Sequence, residues 1–410
     1  MKVFFRRIHL YLGLAAGLVI MVTCLTGALL VFEKELTELF HPRRYSVEAI
    51  GQPVPVSVME ASIKQQEPGA MIQSIKFHTD PRRSVEFSYT IKKGKDASVS
   101  LARDSKAVQG EEAAKPGTEK KGEKKGAGGG ERRTAFVNPY TGEVLELFNY
   151  RESFFYKVMD LHRWLLVGDT GKLIVGSSTL IFLFILITGI ILWWPRNRKL
   201  LLQRLKLKWD AGWKRVNHDL HIVLGFYSAI VLFILAFTGL AWSFEWFNKG
   251  IYRVTNSPME GKKLPVIAYL DSVAVLGWQE VAEKATKQVG EVSYLTIAKP
   301  KDFVSAYQVT VLPLDAVHES ATDQYFLDPY TGALAGTLKW SERNTGQRVR
   351  AIFKPVHVAS IYGLPSKLIG LVVCLLGVSF PVTGVILWWN RTRKKKSRSS
   401  VVEMDDTAAA

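Results

Sequence analysis

The chain has 410 residues, 48% of them hydrophobic, with a formal net charge of +17 and two cysteines. Its mean hydropathy of +0.07 is too low for a protein lying wholly in lipid, yet its apolar residues are too clustered for one soluble domain. These figures exclude a soluble enzyme, a transporter made mostly of membrane helices, and a scaffold held by disulfides.

Four stretches carry no charged residue: Leu10–Phe32, Leu173–Trp194, Ile222–Phe244 and Leu368–Trp389. At about 1.5 Å per residue, each crosses a hydrocarbon core of roughly 30 Å. In the first half the expected order is membrane helix 1 over 8–40, an external domain over 41–160 and helix 2 over 172–195. A cytoplasmic basic loop over 196–217 leads to helix 3 over 218–246. A second external domain over 247–356, helix 4 over 366–390 and a tail over 391–410 complete the chain. The first span runs straight into Glu33-Lys34-Glu35 with no small-residue cleavage site, so it reads as a retained anchor.

Each external domain reads as α+β. Val56–Gln66 has helical character, and Ser84–Tyr89 alternates as a half-buried strand does. The second domain repeats this with a helix near Ser272–Gln288 and strands at Tyr307–Val311 and Gln324–Leu327. Asn138-Pro-Tyr-Thr-Gly142 and Asp328-Pro-Tyr-Thr-Gly332 suit tight turns. Residues 103–133, rich in Lys, Glu and Gly, read as a disordered insertion, and the tail after about Ser397 likewise.

Lys2, Arg6 and Arg7 precede span one, eight basic residues from Arg196 to Arg215 separate spans two and three, and six from Arg391 to Arg398 follow span four. The positive-inside rule places both termini in the cytoplasm and the two large domains on the other side, which in a bacterium is the periplasm or cell exterior. Charge so placed sets topology and attracts anionic lipid, which argues against nucleic-acid binding.

The chain repeats itself. A shift of 212 lays His9, Gly13, Gly17 and Thr26-Gly27 on His221, Gly225, Ala229 and Thr238-Gly239. A shift of 195 lays His162, Thr188-Gly189 and Trp193-Trp194 on His357, Thr383-Gly384 and Trp388-Trp389. The expected fold is therefore a four-span α-helical bundle of two tandem helix–domain–helix repeats.

His9, Gly13 and Gly17 share one helix face, as do His221, Gly225 and Ala229. An imidazole above two positions poor in side chain leaves a flat slot for a broad planar ligand such as haem, whose iron takes neutral imidazole. His9 with His221, and His162 with His357, are the candidate axial pairs of two b-type haems. Packing stands as the alternative, because small-xxx-small faces also join helices in lipid. His218, three residues before His221, suits a supporting role or a propionate contact, or could replace His221 as ligand. His41, His78 and His318 have no repeat partner and read as surface residues. The double tryptophans read as an interfacial belt, the Thr-Gly pairs as points of close helix approach, and Cys24 and Cys374 as small packing residues. Glu33 and Glu245 read as solvated helix ends, or as groups orienting an external site.

With Arg7-Ile8-His9, His162-Arg163-Trp164, His218-Asp219-Leu220-His221 and both Pro-Tyr-Thr-Gly turns in place, the chain resembles the PepSY-associated transmembrane family of iron-regulated bacterial membrane proteins. Some members are inner-membrane reductases of ferric siderophores. The resemblance implies two periplasmic PepSY-like domains, two haems, and electron passage to a ferric siderophore or other ferric chelate. The donor would be a quinol or a cytoplasmic-side partner, since no flavin or nicotinamide fingerprint is present. Two rival functions remain: a non-enzymatic membrane protein whose PepSY-like domains bind peptide or modulate proteases, and haem-free metal handling at His218 and His221.

Overall fold

The computed structural model describes residues 2–91, 131–195, 197–262, 264–271 and 273–408. The insertion expected at 103–133 lies outside the described residues except at 131–133, which begin a strand. Helix α1 (Lys2–Leu30) ends as the chain leaves its apolar run, and α2 (Glu33–Phe40) starts a new direction two residues on. The expected single helix over 8–40 is thus two. After α3 (Pro42–Tyr45) and α4 (Val56–Gln66) come β1 (Ala70–His78), β2 (Val85–Ile91), β3 (Glu131–Val137) and β4 (Val144–Phe148). The short α5 (Phe154–Trp164) precedes the second long helix, α6 (Gly168–Trp193).

Helix α7 (Arg198–Arg204) lies in the basic connection. The third long helix, Trp213–Ser243, is α8 (Trp213–Asp219) and α9 (Gly225–Ser243), joined by a π-helical turn over Leu220–Leu224. Next come α10 (Glu245–Val254), α11 (Trp278–Gln288), β5 (Val292–Ala298), β6 (Tyr307–Pro313), β7 (Asp323–Leu327) and β8 (Leu334–Leu338). Helix α11 starts six residues later than expected, and Ser272 lies outside the described residues. The chain ends with α12 (Thr345–His357) and α13 (Leu364–Ala408). The tail therefore continues as helix, because nothing from Asn390 to Ala408 is Gly or Pro and the span has already nucleated it.

Four helices are long and apolar enough to cross a membrane: Lys2–Leu30, Gly168–Trp193, Trp213–Ser243 and Leu364–Arg393. Helix α1 packs against both α6 and α13, and α9 packs against α6 and α13. Their shared core is Ala16, Ile20, Cys24, Phe182, Leu232 and Val373. Small residues set the closest approaches, with the Cys24 side chain filling the space above Gly377.

The strands do not form two sheets. They form one antiparallel sheet in the order β4-β3-β2-β1-β5-β6-β7-β8, joined where Ile75 of β1 faces Ile297 of β5. Helix α4 covers one half through Val56, Met59 and Ile63, and α11 covers the other through Val281 and Ala285, with Trp278 and Phe77 packed against both cores. Strand alternation turns Lys76, His78, Glu86 and Tyr294 to the opposite face. There, together with the ends of α1, α12 and α13, they line an open cavity of about 1530 Å³.

Both Pro-Tyr-Thr-Gly segments form the expected turns. Asn138 Oδ1 accepts from the Tyr140 amide at 2.9 Å and Asp328 Oδ1 from the Tyr330 amide at 2.8 Å. Gly142 and Gly332 take the positive φ the turns require, +72° and +69°.

Candidate functional site: two histidine pairs in the helix bundle

The bundle holds two facing pairs of imidazoles. At the end far from the sheet, the rings of His9 and His221 have centroids 6.4 Å apart, with planes at 88°. At the end near the sheet, the centroids of His162 and His357 are 6.3 Å apart, with planes at 59°. His9 and His221 belong to α1 and the π-helical turn, whereas His162 and His357 come from α5 and α12, outside the long helices. Each ring is half-buried.

The same device holds every ring. His9 Nδ1 is 3.0 Å from Thr188 Oγ1, His162 Nδ1 is 2.9 Å from Thr26 Oγ1, and His221 Nδ1 is 2.9 Å from Thr383 Oγ1. His357 Nδ1 lies 3.3 Å from Thr238 Oγ1 and 2.9 Å from the Leu235 carbonyl. Each threonine already donates its one hydroxyl proton to a carbonyl of its own helix: Val22, Ile185, Ile234 or Ser379. The hydroxyl oxygen can then only accept, so Nδ1 carries the ring proton and Nε2 keeps its lone pair. Among the described residues no protein group bonds to any of the four Nε2 atoms.

The glycine after each threonine makes room for the ring. A Cβ at Gly27, Gly189, Gly239 or Gly384 would stand 3.3, 3.4, 3.0 or 3.3 Å from Cε1 of His162, His9, His357 or His221. The sequence suggests only close helix approach at these Thr-Gly pairs; in the structure, each is a socket for an imidazole. Their one-per-span recurrence was the available signal, but the partner of each lies on another helix. Burial and then the neighbouring His357 ring pull the His162 imidazole down to about 4, which leaves it neutral at pH 7.

The remaining candidates divide. Gly13 has no heavy atom within 4 Å of where a Cβ would stand, so the space beside it is open, as the slot requires. Gly17 does not line a slot: its added Cβ would be 3.3 Å from Pro381 of α13, so it serves helix packing. Gly225 faces the edge of Phe380 at 4.0 Å, and Ala229 is buried. His218 turns to the buried Asp219, 3.1 Å from its Oδ1, and Arg215 holds the same carboxylate. It thus supports the turn carrying His221 and does not share that ring's position. No group of three or more His, Cys, Asp or Glu placed to hold a metal ion occurs among the described residues.

Two surface assignments and one belt position need correction. His78 lies under the sheet with Nε2 2.9 Å from Glu86 Oε1, and His318 is buried against Trp340. Trp193 is buried, stacked on Phe226 at 3.6 Å, while Trp194 beside it is exposed as a belt residue is. In each case a cross-element partner absent from the local sequence decides the burial. Glu33 accepts from the Tyr150 hydroxyl at 3.0 Å, and burial raises its carboxyl above the usual range. Glu245 pairs with Lys249 on α10.

The spacing of each pair is that of two imidazoles sharing one metal. Two imidazoles on opposite sides of one metal, each at about 2 Å with its ring centre a further ~1.1 Å away, have centroids about 6 Å apart. Both observed spacings meet that, with Nε2 uncommitted and the opposite nitrogen oriented by a hydrogen bond, as metal-bound histidines require. The family model for the PepSY-associated TM region matches residues 6–391. No curated protein matches the chain.

Proposed function

The chain belongs to the PepSY-associated TM family, and from the geometry of its histidine pairs we propose that it is a two-haem b-type membrane electron carrier. In this reading it reduces a ferric siderophore or other ferric chelate on the outer side of a bacterial inner membrane. The observation that carries the reading is the pair of imidazole couples at 6.4 and 6.3 Å, each ring locked with Nε2 free. His9 and His221 would hold the haem at the cytoplasmic end, and His162 and His357 the haem at the outer end. Bound there, haem supplies a one-electron couple with no open coordination position, which suits electron transfer.

The basic residues before α1, between α6 and α9, and after Trp389 support placing the far pair on the cytoplasmic side. The sheet and its cavity then face the periplasm. The two histidines of each pair come from the two halves of the sequence repeat, consistent with a bundle built around an axis along the membrane normal. The cavity lies over the outer pair: Leu29, Leu30 and Val31 line it just past Thr26, and Val358 lines it beside His357. It carries both charge signs, including Lys354, Lys367 and Glu319, which suits a polar chelate better than an apolar ligand. The protein's own work is to fix ring orientation, exclude water from the bundle and present the acceptor beside the outer pair. Reduction releases iron because Fe(II) binds hard-oxygen chelators far more weakly than Fe(III).

The test is an absorption spectrum of the detergent-purified full-length protein before and after dithionite. The expected result is a b-type spectrum with sharpened α and β bands on reduction and about two haems per chain by pyridine haemochrome. Folded protein that is colourless after expression with ample haem overturns the reading.

A further inference from the structure

The histidine sockets repeat in both halves of the chain, but a b-type haem is not symmetric: both of its propionate carboxylates lie on one edge. A site made from duplicated halves therefore needs a polar group that only one half supplies. Arg350, beside the outer pair, is such a group. Arg350 lies on α12 two turns before His357, on the same helix face. Its guanidinium carbon is 5.0 Å from the centre of the Trp242 ring, and that ring is 5.2 Å from His357. The three side chains thus form a continuous row ending at the imidazole. At the repeat-equivalent positions the first half has Phe155 for Arg350, Leu30 for Trp242 and Leu36 for Asn248.

Arg350 is half-buried and has no carboxylate partner among the described residues. Its Nε donates to Asn248 Oδ1 at 2.6 Å. Asn248 is oriented for this, because its amide nitrogen donates to the Ala241 carbonyl at 2.6 Å and more weakly to Phe244. The terminal nitrogens of Arg350 have no hydrogen-bond acceptor among the described residues. Burial pulls its guanidinium below the usual range, and the Tyr252 hydroxyl is the one titratable group that offsets this. A half-buried guanidinium with a single neutral acceptor keeps its terminal donors available, and an anion reaching them from the site completes it.

We infer that Arg350, aimed by Asn248 and shielded by Trp242, is the positioning residue that binds a propionate carboxylate of the outer haem and so selects one of its two orientations. This rests on the two-haem reading and adds to it the group that makes the outer site asymmetric. Guanidinium recognises carboxylate through paired N–H donors, and its fixed charge disfavours the oxidised, more positive form of a nearby haem.

The experiment compares wild type, Arg350→Gln and Arg350→Lys as full-length detergent-purified proteins, each also in a His9→Ala background. Haem content and midpoint potentials are measured, and native haem is compared with its dimethyl ester, whose carboxylates are blocked. The expected result is that R350Q keeps the inner haem, which also shows that it folds. It should retain the outer haem about tenfold less well, or with a lowered potential, with R350K partly restoring both. In the His9→Ala background the remaining haem is then the one lost. The ester should bind wild type and R350Q equally weakly at the outer site. An R350Q protein with two haems at unchanged potentials overturns the inference, as does an ester that binds wild type as tightly as native haem. Wild type without any haem instead overturns the underlying reading.

Discussion

At the scale of single residues, the threonines do the least visible work. A histidine near a helix end can rotate, and its proton can sit on either nitrogen. A hydroxyl whose own proton is already committed removes both freedoms at once. Thr188 does this for His9 with a bond of 3.0 Å while donating to Ile185 at 3.0 Å. Thr188→Val keeps the shape and deletes the acceptor, leaving Nδ1 without its partner. The expected outcome is a loss of inner-haem affinity of about 10- to 100-fold, read as haem content falling toward one per chain. Thr188→Ser should retain both haems. If valine at 188 retains both at unchanged potential, the threonine only packs. The histidines themselves were legible because duplication marks them at fixed shifts of the sequence. Their threonine partners were not, because Thr188 and His9 lie on different helices and no local pattern links them.

At the scale of elements, the sheet joins what the sequence repeat separates. Alternation in Ser84–Tyr89 and Tyr307–Val311 is enough to place strands, but strand pairing across the halves depends on two edges, β1 and β5, meeting in space. The side of that seam facing the helix bundle is polar. Glu86 of β2 accepts from His78 Nε2 at 2.9 Å and from Lys76 Nζ at 3.2 Å, and Lys76 also lies over Tyr294. Burial opposes ionisation of Glu86, but the His78 hydrogen bond and the charges of Lys76 and His78 outweigh it and hold the carboxyl below its ordinary 4.5. A carboxyl lowered on folding stabilises the fold above its unfolded value and loses that contribution as pH falls through its folded value. Glu86→Gln is therefore expected to destabilise the fold at pH 7, by an amount that shrinks as the pH is taken progressively below 4.5. Chemical unfolding of wild type and variant across that range checks this, and an equal difference throughout would assign the effect to packing. The π-helical turn carrying His221 is the element that no periodicity announces, since its five residues read as ordinary helix.

At the scale of the whole molecule, the two pairs stand at opposite ends of the bundle. The seventeen steps along α1 from His9 to Thr26 rise about 25 Å, most of the thickness of a hydrocarbon core. Basic residues surround one end, and a mixed-charge cavity closes the other. In the proposed function this makes the sites a series, with a donor such as a quinol serving the cytoplasmic pair and the ferric chelate meeting the outer pair. A series has a sharper signature than two independent sites. His9→Ala should empty the inner site and leave the outer one, still held by Thr26 and Thr238, intact. In vesicles with the cavity facing outward, dithionite added outside should still reduce the outer haem of His9→Ala, and a ferric chelate added afterwards should reoxidise it at the wild-type rate. Reduction by a quinol reaching the cytoplasmic pair should fall steeply, because the transfer distance then spans nearly the whole core. Absorbance at the α band follows both steps in one preparation. If quinol still reduces the outer haem of His9→Ala as fast as in wild type, the two pairs are not in series and electrons enter from the same side on which they leave.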